Sequence, residues 1–195
     1  LVIYTSDHGY FLGDHGWYDK RFMYEPALRI PLVARCPGLT PAGVVCEALA
    51  MNVDVCPTIL DVAGVEIPSV VQGESLRPLM GDAPPADWRS AAYYAYYEDS
   101  WRLRDRPVEE MAEPGFAYFT PHRIGPHRGV RTAHDKLIEY FSEGDYWEYF
   151  DLTSDPLELR NRYEDPACQD RVQALKAELA RLRQEYGDTE SAPTS

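Results

Sequence analysis

Three side chains near the start of the chain are of types that handle an oxyanion: Asp7, His8 and Lys20. Asp7 and His8 are adjacent, stand before Gly9 and follow the apolar run Leu1-Val2-Ile3-Tyr4. In open α/β sheets, ligands gather at the carboxyl ends of strands. Strand alternation stops there, so a neighbouring carboxylate and imidazole can face one cation. A carboxylate suits calcium or magnesium, and the imidazole widens the choice to a transition metal. The plainer reading makes Asp7 a turn cap and His8 polar surface. Lys20 follows in a loop with Trp17, Tyr18 and Arg21. Its ammonium is a compact point charge suited to an anionic oxygen, although a lone loop lysine is ordinarily just solvated.

Other candidates are weaker. His15 lies in a Gly-bounded turn and is expected to make a structural hydrogen bond, with substrate contact as the alternative. His122, Arg123, His127, Arg128 and Arg131 form a basic cluster around Gly125-Pro126. Guanidinium groups suit bidentate anion contacts, so His127 and Arg131 are candidate contacts to an anionic ligand. Surface salt bridging is the competing role. Glu25 reads as a structural partner near Lys20. Tyr93, Tyr94, Tyr96 and Tyr97 are expected to pack against the sheet rather than stack on a sugar. Cys36, Cys46, Cys56 and Cys168 contain no C-x-x-C pair, which speaks against structural zinc and leaves buried free thiols as the simplest reading.

The elements that must position these groups follow from pattern. Leu1–Tyr4 and Ile30–Ala34 read as strands, the first a buried one of the kind found in parallel sheets. Cys36-Pro37-Gly38 is a turn. Asp54 is placed to N-cap a helix over Val55–Val62, with Gly64 at C′ and Ile59, Leu60 and Ala63 inward. Gly81 to Pro85 reads as a linker, giving domains 1–84 and 85–195. Beyond it, Ala91–Tyr97, Val130–Phe141 and Tyr146–Leu152 read as antiparallel strands, the last two joined at Gly144-Asp145. Residues 99–125 read as a surface excursion. Asp165-Pro166 opens a helix whose Val172, Leu175, Leu179 and Leu182 form one stripe.

The chain has 195 residues, 45% of them hydrophobic, and a formal net charge of −13. That length can bury a core. The acidity argues against a nucleic-acid partner, and no run approaches the roughly 20 apolar residues of a membrane span. An anionic substrate is still allowed, because a bound cation reverses the local field. The opening inside an apolar strand suggests that an upstream part is missing.

Taken together, Thr5-Ser6-Asp7-His8-Gly9, Leu12-Gly13-Asp14-His15-Gly16, Lys20, Tyr24-Glu25-Pro26 and Arg29-Ile30-Pro31-Leu32 resemble the second half of the sulfatase catalytic domain. That family lies within the alkaline-phosphatase-like superfamily. The similarity continues through Val53–Leu60 and Gln72–Leu79. Gly129-Val130-Arg131-Thr132 and Glu148–Leu152 resemble the C-terminal subdomain of heparan N-sulfatase-like and related bacterial enzymes.

The resemblance implies an α/β fold: the C-terminal part of an alkaline-phosphatase-like α/β sandwich, plus a small antiparallel-sheet subdomain with a C-terminal helix. It implies Asp7 and His8 as ligands of a divalent metal, calcium first, with magnesium or manganese as alternatives. Lys20 would contact the sulfate. The reaction implied is hydrolysis of a sulfate ester or sulfamate, the partner being an anionic sulfated small molecule or glycan. Family members are commonly exported, periplasmic or lysosomal. The nucleophile implied is a formylglycine made from the Cys or Ser of C/S-x-P/A-x-R, a motif that this sequence lacks. The nucleophile and the remaining acidic ligands are therefore expected upstream, and the chain alone is expected to be inactive. A phosphonate monoester hydrolase or phosphodiesterase of the same superfamily is the near rival, and a non-catalytic binding module the more distant one.

Overall fold

A computed structural model of the chain describes residues 1–81, 84–97, 124–141 and 146–189. The strands are β1 (Val2–Thr5), β2 (Phe11–Leu12), β3 (Tyr18–Asp19), β4 (Leu32–Arg35), β5 (Ala91–Tyr96), β6 (His127–Thr132), β7 (Asp135–Tyr140) and β8 (Tyr146–Asp151). The helices are α1 (Glu25–Leu28), α2 (Val55–Val62) and α3 (Gln169–Glu185). The chain divides into two units: Leu1–Gly9 with Arg29–Ala92, and Tyr10–Leu28 with Tyr93–Ser195. The Gly144-Asp145 turn, His122, Arg123 and nearly all of the expected 99–125 excursion lie outside the described residues. No described helix is long and apolar enough to cross a membrane.

In the first unit the two apolar runs pair with each other, but antiparallel, with Val2 opposite Arg35 and Thr5 opposite Leu32. The expected parallel pairing is corrected; the exposure of Val2 (63%) and Tyr4 (68%) is that of an apolar strand whose faces are left uncovered in this chain. An apolar β-branched run signals a need for cover, and among the described residues β1 has only β4 beside it. α2 also differs in its inner face. It buries Pro57 and Thr58, while Ile59 is half exposed. Polar bonds decide this orientation. The Thr58 hydroxyl donates to the Asp54 carbonyl at 2.5 Å and accepts the Leu76 N–H at 2.8 Å.

Asp54 does not cap α2 with its side chain. It is wholly buried, accepts the N–H groups of Met51 (2.7 Å) and Glu74 (2.9 Å), and takes a two-pronged ion pair from Arg89. Buried carboxylates survive only when so fully matched. Gly64 does end α2 as expected, in a left-handed conformation (φ 69°).

The second unit is built on the sheet β5-β6-β7-β8. The expected long strand Val130–Phe141 is two strands, β6 and β7, folded back on each other. Register and alternation then sort the two faces. Val130, Leu137 and Tyr149 form one cross-strand row and are fully buried. Gly129, Ile138 and Glu148 form the next row, on the opposite face, with Arg131, Lys136 and Phe150 alongside.

α3 packs on β6 and β7, burying the expected Val172, Leu175, Leu179 and Leu182. Asp165 accepts the Ala167 N–H at 2.9 Å, so the helix entry is capped where the sequence suggested. The outer edge of β8 is occupied by the chain itself. Asn161 Oδ1 accepts the Tyr149 N–H, its Nδ2 donates to Trp147 O, and the Arg162 N–H donates to Tyr149 O. Cys168 is buried as expected, but Cys46 and Cys56 are exposed and Cys36 is intermediate; all four are free thiols.

Candidate active site

The Asp7–His8 pair follows β1 directly. The His8 N–H donates to Asp7 Oδ1 at 3.0 Å, and the Ser6 hydroxyl donates to His8 O at 2.7 Å. The Asn52 side-chain amide donates to the Asp7 carbonyl. Asn52 opens the short 3-10 turn that ends at buried Asp54, so the Asp54–Arg89 pair anchors this loop from beneath.

The imidazole of His8 is informative. Its Nδ1 lies 2.7 Å from the Gly9 carbonyl oxygen, which can only accept, so Nδ1 carries a proton. In the neutral ring the lone pair then sits on Nε2. Nε2 lies 3.2 Å from Asp7 Oδ2, a second acceptor. Metal-ligating histidines commonly donate their other N–H to a carbonyl in this way, so the pair fits a divalent cation. Among the described residues no group of three or more His, Cys, Asp or Glu side chains gathers to hold a metal. The pair is thus a partial donor set for a cation such as calcium, which takes six to eight oxygens.

Lys20 belongs to the other unit, directly after β3, and is exposed. Its neighbours clamp the backbone on either side. Asp19 is buried and takes two contacts from Arg21 Nη1, at 2.9 and 3.1 Å. The Tyr94 hydroxyl donates to the Arg21 carbonyl at 2.9 Å, and burial pushes that phenol up to about 12.

The segment 10–28 lies against the sheet face opposite α3. Met23 is fully buried with Ile138 and Phe150. The Tyr24 hydroxyl donates to Glu148 Oε2 at 2.6 Å, and the Tyr140 and Tyr146 hydroxyls donate to the same carboxylate at 3.2 Å each. Burial, then the charge of Glu148, holds the Tyr24 phenol far above its ordinary range.

Next to this, Lys136 is wholly buried, with Nζ 2.5 Å from Glu158 Oε1 and 2.9 Å from Glu25 Oε1. Burial pushes the Glu25 carboxyl up, but Lys136 and Arg131 outweigh it and hold it below the usual glutamate range. For Glu158 burial wins and the carboxyl is raised.

Glu25 is structural as expected, but its partners are Arg131 and Lys136 rather than Lys20. Arg131 meets its carboxylate with Nε at 3.3 Å and Nη2 at 3.2 Å. His127 has no exposed surface. Its Nδ1 lies 3.0 Å from Gly125 O, and the rings of Tyr94, Tyr96 and Tyr140 surround it with centroids 5.1–5.5 Å away. Burial pushes it down to about 4, so it is neutral at pH 7. Arg128 pairs with Glu139 at 2.5 Å.

His15 departs from expectation. Among the described residues its ring makes no hydrogen bond; it stacks on Tyr24 and meets Phe11 edge-on. Sequence reasoning missed Lys136, Glu148 and Glu158 altogether. One faint signal was present: Glu158 stands alone between Leu157 and Leu159.

Comparison with known proteins adds to this geometry. The family described as N-sulphoglucosamine sulphohydrolase, C-terminal, matches residues 13–108 and 109–185. An N-acetylglucosamine-6-O-sulfatase of Bacteroides thetaiotaomicron is 41% identical over 192 residues, covering 97% of this chain and 31% of that protein. The multifunctional alkaline phosphatase superfamily protein PehA of Trinickia caryophylli is 32% identical over 86% of this chain and 31% of its own length.

Among solved structures, BT4656 in complex with its substrate D-glucosamine-2-N,6-O-disulfate superposes with a TM-score of 0.83 at 40% identity, over 99% of this chain and 36% of that one. A phosphonate monoester hydrolase from Silicibacter pomeroyi gives 0.72 at 33%, over 94% and 34%. The chain spans about a third of the length of these relatives.

Proposed function

The chain belongs to the sulfatase family, as a C-terminal portion, and from that premise we propose that its parent protein hydrolyses the sulfate ester or sulfamate of a sulfated glucosamine. The observation that carries this reading is the 41% identity along nearly the whole chain to a sulfatase named for N-acetylglucosamine. In this reading residues 1–84 complete the catalytic α/β domain and residues 85–195 form its antiparallel-sheet companion. Export from the cytoplasm belongs to the same proposal.

Asp7 and His8 would hold a divalent cation, calcium first, as part of a larger ligand set. The Gly9 carbonyl keeps the imidazole in the tautomer that ligation needs. A bound cation supplies Lewis-acid stabilisation of the sulfate oxygens. Lys20 binds one of those oxygens, and its charge counts for more as the negative charge develops. The Asp19–Arg21 pair and the Tyr94 hydroxyl fix the backbone that carries it. Arg131 serves this site by holding Glu25 rather than by touching substrate, and His127 serves by packing. A formylglycine nucleophile and the remaining metal ligands belong to the rest of the parent.

The test uses the full-length parent with glucosamine 6-sulfate and measures released sulfate. Lys20→Ala should lower kcat by about 10²–10³. Chelation should abolish turnover and calcium should restore it. The similarity to a phosphonate monoester hydrolase favours a second reading, in which a phosphonate or phosphate diester is cleaved. Parent enzyme that turns over a phenylphosphonate monoester faster than any sulfate would replace the first reading with the second.

A further inference from the structure

Among the described residues two that are not glycine adopt left-handed backbone: His15 (φ 54°) and Glu158 (φ 55°). Such conformations cost about 1–3 kcal/mol and persist when the surroundings over-determine them. For Glu158 they do. Its carboxylate is buried against Lys136 and accepts the Glu25 N–H at 2.6 Å. For His15 the backbone of the turn does this, with the Gly13 N–H donating to Trp17 O at 2.9 Å and the Gly16 and Trp17 N–H groups donating to Gly13 O and Asp14 O at 3.0 Å each, but its side chain makes no polar contact with a described residue. Its ring is held by its faces alone, stacked on Tyr24 with centroids 4.9 Å apart and planes 22° apart, and edge-on to Phe11 at 6.1 Å.

The ring is nevertheless well fixed. Tyr24 is pinned through its hydroxyl to buried Glu148, and Phe11 is buried and paired across the hairpin with Asp19, the neighbour of Lys20. The turn flanks His15 with two left-handed glycines, Gly13 and Gly16, and a side chain at Gly16 would meet nothing within 4 Å. A polar ring is thus immobilised and half-buried, with neither nitrogen engaged by another described residue. That arrangement is a preorganised contact waiting for a ligand rather than a packing unit.

We propose that His15 is a specificity-determining contact to a hydroxyl of the sugar whose sulfate Lys20 binds. The edge of an imidazole offers one donor and one acceptor, the complement of a hydroxyl, which also donates and accepts. The inference rests on the sulfated-glucosamine reading above and deepens it, because it names the residue that reads the sugar rather than the sulfate.

His15→Phe in the full-length parent isolates this role, since it keeps the ring faces and removes both nitrogens. The ratio of kcat/KM for glucosamine 6-sulfate to that for 4-nitrophenyl sulfate should fall about tenfold or more, mainly through KM, with Tm nearly unmoved. His15→Asn, which tolerates left-handed backbone and restores a donor and an acceptor, should recover part of the loss. An unchanged ratio, or an equal fall for both substrates, overturns the proposal and leaves His15 as packing.

If His15→Phe does not fold, His15→Gly takes its place, because it removes the strain together with the ring. A parent that hydrolyses neither sulfate sinks the underlying reading instead. Calorimetric titration with glucosamine then decides the role of His15 separately: weaker binding in the variant supports it, and equal or absent binding in both proteins refutes it.

Discussion

Replacing Gly129 with alanine probes the fit between the sheet and the segment that bears Lys20. Gly129 sits mid-β6, opposite Ile138. A Cβ built there lies 2.3 Å from the Leu137 carbonyl oxygen, 2.5 Å from Met23 Sδ and 3.1 Å from Met23 Cε. The thioether can swing, but Met23 is fully buried and has little room to do so. The carbonyl belongs to the neighbouring strand and moves only if the strand moves. Overpacking of this kind costs about 1–3 kcal/mol. The stiffer unfolded chain returns about 0.4–1 kcal/mol, leaving a net loss of about 1–2 kcal/mol. For a protein of this size each kcal/mol lowers Tm by about 2–4 °C, so a fall of about 2–8 °C is expected by calorimetry. Adding Met23→Ala should not restore the loss, because the clash with backbone stays. A Gly129→Ala variant as stable as wild type, or more stable, would show that the notch between β6, β7 and Met23 is not as tight as argued.

Lys136→Met leaves Glu25 and Glu158 buried together and should cost about 3–5 kcal/mol at pH 7. In wild type the two carboxyls oppose each other. Glu25, held low, stabilises above the free-glutamate pKa of about 4.3, and that stability is lost as pH falls through its folded value; Glu158, held high, contributes stability that is lost as pH rises from about 4.3 through its own. Without Lys136 both move up from their wild-type positions, Glu158 the more because Arg131 still opposes the rise at Glu25, so the folded form binds extra protons and the variant should regain stability between pH 7 and pH 5. Urea midpoints at the two values check this, and a variant with the wild-type slope refutes it. At the alkaline end, Tyr24, Tyr140 and Tyr149 are raised by burial first and then by facing carboxylates. Their contribution is complete below the free-tyrosine pKa of about 10 and fades above it. Part of the tyrosinate absorbance should therefore appear only together with loss of circular dichroism, and a full titration in folded protein would contradict the assignment.

Legibility in the sequence tracked the range of the interaction. The stripe of α3 and the Asp165-Pro166 turn that leads into it were readable because both are written within a few residues. The direction of β1 was misjudged because an apolar run states a need for a partner without saying which strand supplies it or which way that strand runs. The inner face of α2 was misjudged because Thr58, a polar residue, makes the bonds that orient the helix. The largest omission, the cluster around Glu25, Lys136 and Glu158, joins positions more than a hundred residues apart. No local period encodes such a contact, and a buried lysine looks like a surface lysine until its partners are seen. His15 was expected to be tied by a hydrogen bond because polar side chains in tight turns usually are; the stacking on Tyr24 depended on where a distant strand holds that tyrosine.

The plug formed by Asn161 has a consequence for assembly. A bare strand margin is a template on which a foreign chain can add, and here one side-chain amide imitates a peptide and closes it from within. Growth of the sheet past β8 is therefore self-terminated, and neither a second molecule nor a misfolded neighbour can dock there by strand addition. The plug is reached through the short connection after Asp151, so shortening that connection by a residue or two would withdraw Asn161 and turn a closed border into an adhesive one.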